Sequence, residues 1–304
     1  MRNLSLSITF LALLAGCSST GKKDALDHPA TPEPIATEFI GLGFTGSHGV
    51  TQWGDQIAVT NSYGKPPSIG VVSGTATAPR VLFTRNMTNP IGITALPDGR
   101  LLFCDVSAGA VLLIEAEGKV IAKAAAEQPW NTTMISANRG GVTLALVQNT
   151  GEIGLLNITG DSIKHTTLLA NIGPNPFGVA WHPGLGQLLV TMQADGKVFA
   201  LPFDPENSGA PIRARIFAMP LDNPEGIAVD DSGNVWIAET AAHRVAIYDA
   251  EGVLLARTAP GVLRFPVAVV AAGDDTVLIG CGGDSGKVFR MKYDAKAGAI
   301  STTR

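Results

Sequence analysis

Apolar residues in this chain fall in short runs between turns rich in Gly, Asp, Asn and Pro, and no helix is needed to account for the pattern. The plan is clearest between residues 223 and 256. An apolar run at 225–229 begins beside Pro224 and Gly226, as a buried inner strand would. Asp230-Asp231-Ser232-Gly233 follows, a turn of residues that tolerate positive φ. The β-prone run 235–238, the loop Ala241-Ala242-His243, the alternating run 244–248, the turn Ala250-Glu251-Gly252 and the run 253–256 complete the segment. This predicts four strands with hairpin links. A second copy has its turn at Pro97-Asp98-Gly99, its second strand at 101–104 and its third at 111–114.

The opening of this segment recurs along the chain. Asn223-Pro224-Glu225-Gly226-Ile227-Ala228 echoes Asn89-Pro90-Ile91-Gly92-Ile93-Thr94 and Asn175-Pro176-Phe177-Gly178-Val179-Ala180. Weaker copies are Ser47-His48-Gly49-Val50-Thr51 and Phe265-Pro266-Val267-Ala268-Val269-Val270. The anchors at 49, 92, 178, 226 and 268 leave a gap that demands a hidden copy, filled by Met134-Ile135-Ser136. A period of roughly 40–50 residues with four short strands per period marks propeller blades. We therefore expect an all-β fold, a six-bladed β-propeller with four antiparallel strands per blade. It should occupy 39–304, with blades starting near 47, 90, 133, 176, 224 and 266. A single four-stranded sheet cannot cover its own faces, so six blades should close into a ring. Residues 37–42 or 300–303 are the candidates to complete the last blade.

Composition adds a location. Hydrophobic residues make up 45% of the chain and charged ones 16%, which favours a globular fold over disorder. With net charge −4 and no basic cluster, nucleic acid is not an expected partner. Arg2 and the apolar run 8–14 lead into Leu14-Ala15-Gly16-Cys17, which resembles the bacterial lipobox. That resemblance implies a signal peptide over 1–16 and lipidation of Cys17. With Ser18 next, it implies a cell-envelope protein on the outer membrane facing the periplasm if the cell is Gram-negative. The only membrane contact expected is through the lipid. Residues 17–38, with Pro29, Pro32 and Pro34, read as a flexible tether. Cys104 and Cys281 fall in different blades and are expected to be buried thiols.

Residues 198–283 resemble the senescence marker protein/gluconolactonase/luciferin-regenerating-enzyme family, which includes regucalcin. The resemblance is carried by Phe203-Asp204-Pro205, the 223–230 segment, Gly233-Asn234-Val235-Trp236-Ile237-Ala238 and Asp249-Ala250-Glu251-Gly252. NHL-type propellers share part of this rhythm. Membership implies a divalent cation above the channel, held by a Glu in blade one, an Asn in blade four and an Asp in blade five that also serves as base in sugar-lactone chemistry. Here those positions hold His48, Phe177 and Glu225, and the substrate positions of blade two hold Thr88 and Pro90.

Alignment of the copies gives two rings at the top of the channel. The entry ring is His48, Ile91, Met134, Phe177, Glu225 and Val267. The exit ring, where strand two ends, is Asn61, Asp105, Gln148, Met192, Glu239 and Cys281. We take Glu225 and His48 as catalytic candidates and as ligands for one cation, Ca2+ or Zn2+. Asn61, Asp105, Gln148, Phe177 and Glu239 are the substrate-binding candidates. His182 and the pair Asp230 and Asp231 read as structural turn residues. Neither a Gly-x-Ser-x-Gly elbow nor a clustered His pair is present, so serine hydrolase and zinc protease chemistries have no support. Two functions fit: a cation-assisted hydrolase of a small lactone or ester, or a non-catalytic NHL-type propeller that binds a small ligand or an envelope protein.

Overall fold

The computed structural model describes residues 44–73, 79–84, 87–125, 132–137, 143–147, 151–169, 172–173, 175–202, 214–259, 262–283, 286–294 and 299–302. The signal peptide, the tether and Cys17 lie outside them. Six four-stranded antiparallel sheets are present, each with its strands in chain order. Blade one is Ser47–Trp53, Gln56–Asn61, Ser68–Ser73 and Arg80–Phe83. Blade two is Pro90–Ala95, Leu101–Asp105, Ala110–Ile114 and Val120–Ala125, and blade three is Thr132–Ala137, Thr143–Val147, Glu152–Thr159 and Ser162–Leu169. Blade four is Pro176–His182, Gln187–Met192, Lys197–Pro202 and Arg215–Ala218. Blade five is Pro224–Val229, Val235–Glu239, Arg244–Tyr248 and Leu254–Arg257, and blade six is Pro266–Gly273, Thr276–Cys281, Val288–Asp294 and Ala299–Thr302. The fourth strand of blade six is thus the C-terminal candidate; residues 37–42 lie outside the described residues.

The six first strands neighbour one another in order, and blade six returns to blade one. The core lies between blades, as the argument from uncovered sheet faces requires. One cluster joins blades five and six through Trp236, Val245, Ile247, Ile279, Phe289 and Met291. Closure rests on another, in which Val50, Ile57 and Val59 of blade one meet Ala268, Leu278 and Val288 of blade six. Each fully buried large side chain contributes about 1.5–3 kcal/mol. Trp236 also needs a partner for its indole, and its Nε1 donates to Asp230 Oδ2 at 2.8 Å. The same carboxylate accepts from Asn234 N at 2.8 Å, so Asp230 is the structural turn residue expected. His182 is buried, accepts from Leu185 N at Nδ1 and reaches Gly233 O with Nε2 at 3.0 Å. Cys104 and Cys281 are buried, and burial pushes each thiol up to about 12.

The recurrent glycine of the first strand has a steric cause. A Cβ on Gly226 would stand 2.5 Å from Val267 O and 2.6 Å from Val269 N, the backbone of the next blade. Gly178 meets Glu225 O in the same way, and Gly49 meets Ile91 O. Hydroxyls just outside the channel add bonds across the same seams: Thr191 Oγ1 donates to Glu225 O at 2.6 Å and Thr240 Oγ1 to Pro266 O at 2.6 Å. Neither backbone can retreat without parting two blades. Gly226→Ala is therefore expected to destabilise the fold by about 3 kcal/mol, the upper range for overpacking. Urea unfolding checks this, and an unchanged midpoint would show that the blades can separate freely.

Candidate active site at the channel mouth

Each first strand carries an irregularity where it enters the channel end of the ring. Ser47 pairs with Asn61 and Gly49 with Thr60, which leaves His48 out of register. Pro224 pairs with Glu239 before the pairing resumes at Ile227 and Ile237, with Glu225 in the gap. Blades two, four and six repeat this at Ile91, Phe177 and Val267. Such bulges re-aim a side chain, and here they recur around one channel. Blade three corrects the alignment by one residue. Thr132 pairs with Val147 and Met134 with Leu146, so the entry position is Thr133 rather than Met134 and the exit position is Val147 rather than Gln148. Gln148 itself lies outside the described residues.

Glu225 is 7% exposed. Its Oε1 accepts from Gln193 Nε2 at 2.9 Å and from Asn223 Nδ2 at 3.1 Å. Burial raises its carboxyl from the ordinary range to about 7, against the opposing pull of hydrogen bonds from Gln193, Asn223 and Thr240. On either side in the ring stand Phe177 and Val267, which pack together in a cluster of their own. Asn223 holds a positive φ of 54°, which suits Asn and turns it back on the carboxylate two residues later.

His48 stands beyond Val267, in the next blade but one from Glu225, so the two catalytic candidates are not adjacent in the ring. Its ring meets Tyr63 edge-on at 4.8 Å. Burial pushes its pKa down to about 4, so the imidazole is neutral at pH 7, and its buried Nδ1 has no hydrogen-bond partner among the described residues.

The polar exit residues are committed elsewhere. Asn61 Oδ1 accepts from Thr45 N at 2.9 Å while its amide donates to Ser68 Oγ at 3.3 Å. Asp105 is buried and accepts from Thr88 N, Thr88 Oγ1 and Asn89 N, each at 2.9 Å. Glu239 is 0% exposed, accepts from Asp222 N at 3.2 Å and pairs with Arg244 at 2.7 Å and Arg257 at 3.1 Å. All three tie down the loop that feeds strand one of their own blade. Each therefore serves as a loop anchor at the channel end. Gln193 and Asn223, the two groups that hold Glu225, were not among the sequence candidates. The signal for Asn223 was its place before the repeated Pro; for Gln193 it was the position after the exit residue, shared with Ser62 and Thr240.

The donor set matters for a cation. Among the described residues no three His, Cys, Asp or Glu side chains converge. Glu225 offers one carboxylate, its ring neighbours are apolar, and Asn223 and Gln193 turn amide N–H groups toward it. Calcium takes about six to eight oxygens, and structural zinc about four N, S or O ligands, so this set does not fit either ion.

Ring and mouth together define a six-bladed β-propeller whose channel end carries the buried carboxylates of Glu225, Asp105 and Glu239. Residues 138–278 match the SMP-30/Gluconolactonase/LRE-like region, and the family resemblance of blade five is thereby that of a longer stretch of the chain. No curated protein matches the sequence. Solved structures share the fold at low identity. Regucalcin from Agrobacterium tumefaciens, a calcium-binding protein, superposes with a TM-score of 0.69 at 16% identity over 86% of this chain and 95% of that one. A gluconolactonase from Xanthomonas campestris gives a TM-score of 0.64 at 17% identity, over 81% and 85%. Virginiamycin B lyase from Staphylococcus aureus gives 0.61 at 19% identity, over 85% and 84%.

Proposed function

We propose that this propeller hydrolyses a small lactone or ester at the channel mouth, with Glu225 as general base, and that it does so at the cell envelope, held there by a lipid on Cys17. The observation that carries the reading is the carboxylate of Glu225, buried, held by two amides and poised near pH 7 at the position of the family's base. Ionised Glu225 takes a proton from a water molecule as that water's oxygen bonds to the carbonyl carbon. The tetrahedral adduct then breaks its C–O bond to the ring oxygen, and the protonated carboxyl returns the proton to the departing alkoxide. A hydroxy acid leaves and the carboxylate is restored. The neutral His48 contacts the ligand rather than carrying the proton.

Regucalcin's calcium binding suggests the cation-assisted variant, but the donor set above does not hold such an ion, and no step is routed through one. Hydrolysis of a lactone panel from about pH 5 to about pH 9, with and without chelator, tests the reading. We expect a rate that rises through about pH 7 and survives chelation, because the base is active only when ionised. A rate lost on chelation, or flat across that range, would overturn it. The binding-module reading keeps one observation in its favour: two of the three family ligand positions hold His48 and Phe177. Absence of turnover in every lactone tested would turn the balance to it.

A further inference from the structure

We propose that the ligand of this site carries an apolar or aromatic substituent beside its reactive group, received by a band running from Tyr63 and His48 across Gly282 to Val267 and Phe177. This deepens the reading of Glu225 as base and names its substrate class: alkyl- or aryl-substituted lactones and esters rather than polyhydroxylated sugar lactones.

The band is continuous. Tyr63 lies edge-on to His48 at 4.8 Å. A Cβ on Gly282 would stand 3.3 Å from His48 Nε2 and 3.0 Å from Val267 Cγ2, closer than ordinary van der Waals contact, so both side chains close over that residue. Gly282 follows the exit residue of blade six, where blades one, four and five carry Ser62, Gln193 and Thr240. It is not among the residues of positive φ, so its backbone does not demand glycine. What the missing side chain supplies is close approach: the imidazole and Val267 pack over the bare backbone, where a Cβ would force them apart. From Val267 the band continues to Phe177, and these two form an apolar cluster separate from the six that hold the blades together.

The exposed aromatics point the same way. Tyr63 is 57% exposed and Phe265 is 40% exposed, on loops at this end of the ring. Phe265 O accepts from Gly282 N at 2.7 Å, which places its backbone against the same glycine. A sugar lactone would present hydroxyls around its whole ring, and each needs a donor or acceptor. Among the described residues, Asn61, Asp105 and Glu239 are committed to loops, leaving fewer polar groups for such a ligand. An apolar wall with a small number of placed polar groups is the usual make-up of a small-molecule site.

Two stable isosteres separate binding from turnover: an alkyl-substituted δ-lactam and gluconolactam, each titrated calorimetrically into the wild-type protein. We expect the alkyl lactam to bind at least about tenfold more tightly, and Phe177→Ala and Tyr63→Ala each to weaken it by about fivefold or more. Tyr63 is exposed and Phe177 stands outside the blade cores, so both variants should fold. Equal or tighter binding of gluconolactam, no binding of either lactam, or alkyl binding indifferent to both substitutions would overturn the proposal. Tight alkyl binding in a protein that hydrolyses no lactone would sustain it and remove only the catalytic reading.

Discussion

Glu225→Gln is expected to cut lactone hydrolysis by roughly 10²–10⁴-fold while making the protein harder to unfold above pH 7. The first effect follows from removing the only group assigned to proton transfer. The second follows from linkage. The folded-state pKa of about 7 lies above the ordinary 4.5, because burial disfavours the charged carboxylate. The folded state therefore holds the proton more tightly than the unfolded chain. The stability this supplies is fully present below about pH 4.5 and is lost as pH rises through about 7. Glutamine has no charge to bury and keeps a carbonyl oxygen for Gln193 and Asn223. At pH 5 the two proteins should unfold at similar urea concentrations. At pH 9 the variant should be the more stable by on the order of 3 kcal/mol. Loss of activity with equal destabilisation at both pH values would mean that the substitution merely damages the site.

The architecture was readable because its constraint repeats. In three copies the same Pro-x-Gly stands where the next blade's carbonyl approaches the first strand, and steric need at Gly178 and Gly226 kept the signal sharp. Blade three lacks both the proline and the glycine. Its alignment rested on spacing alone and slipped by one residue, which the bulge between Thr132 and Met134 explains. The loop bonds of Asn61, Asp105 and Glu239 are hidden from the pattern for a related reason. These residues sit at the channel end of strand two, where a polar residue can face either the channel or the loop preceding its own first strand. That loop presents backbone N–H groups at matching places, Thr45, Thr88 and Asp222, and all three side chains turn to them. The sequence records the polar residue but not the orphan donor that claims it. The position of Glu225 at the bulge of blade five is legible because the family resemblance and the repeat agree on it. Its two amide partners come from different blades, Gln193 from blade four and Asn223 from the entrance to blade five, and only the ring brings them together.

Glu239→Ala should be the most destabilising single change at this end of the ring, at about 3–5 kcal/mol. Burial alone would push its carboxyl up, yet the hydrogen bond from Arg244 and the charges of Arg257 and Arg244 hold it below the ordinary range. Its contribution is therefore present above about pH 4.5 and lost on acidification, the reverse of Glu225. Truncation takes from Arg244 and Arg257 the carboxylate they share and strips Asp222 N of its acceptor. Both arginine side chains remain about a quarter exposed, so water can recover part of their solvation, which favours the lower end of that range. Asp105→Ala, which removes an anchor with no cation attached, should cost less, about 1–3 kcal/mol, and the difference between the two isolates the ion cluster from the loop anchor. Because Asp222 precedes Asn223 and Glu225, loosening it should also lower kcat in Glu239→Ala at temperatures where the protein remains folded. A variant that unfolds at the wild-type urea midpoint, or that unfolds early with kcat unchanged, would show that blade five holds the Glu225 strand by other means.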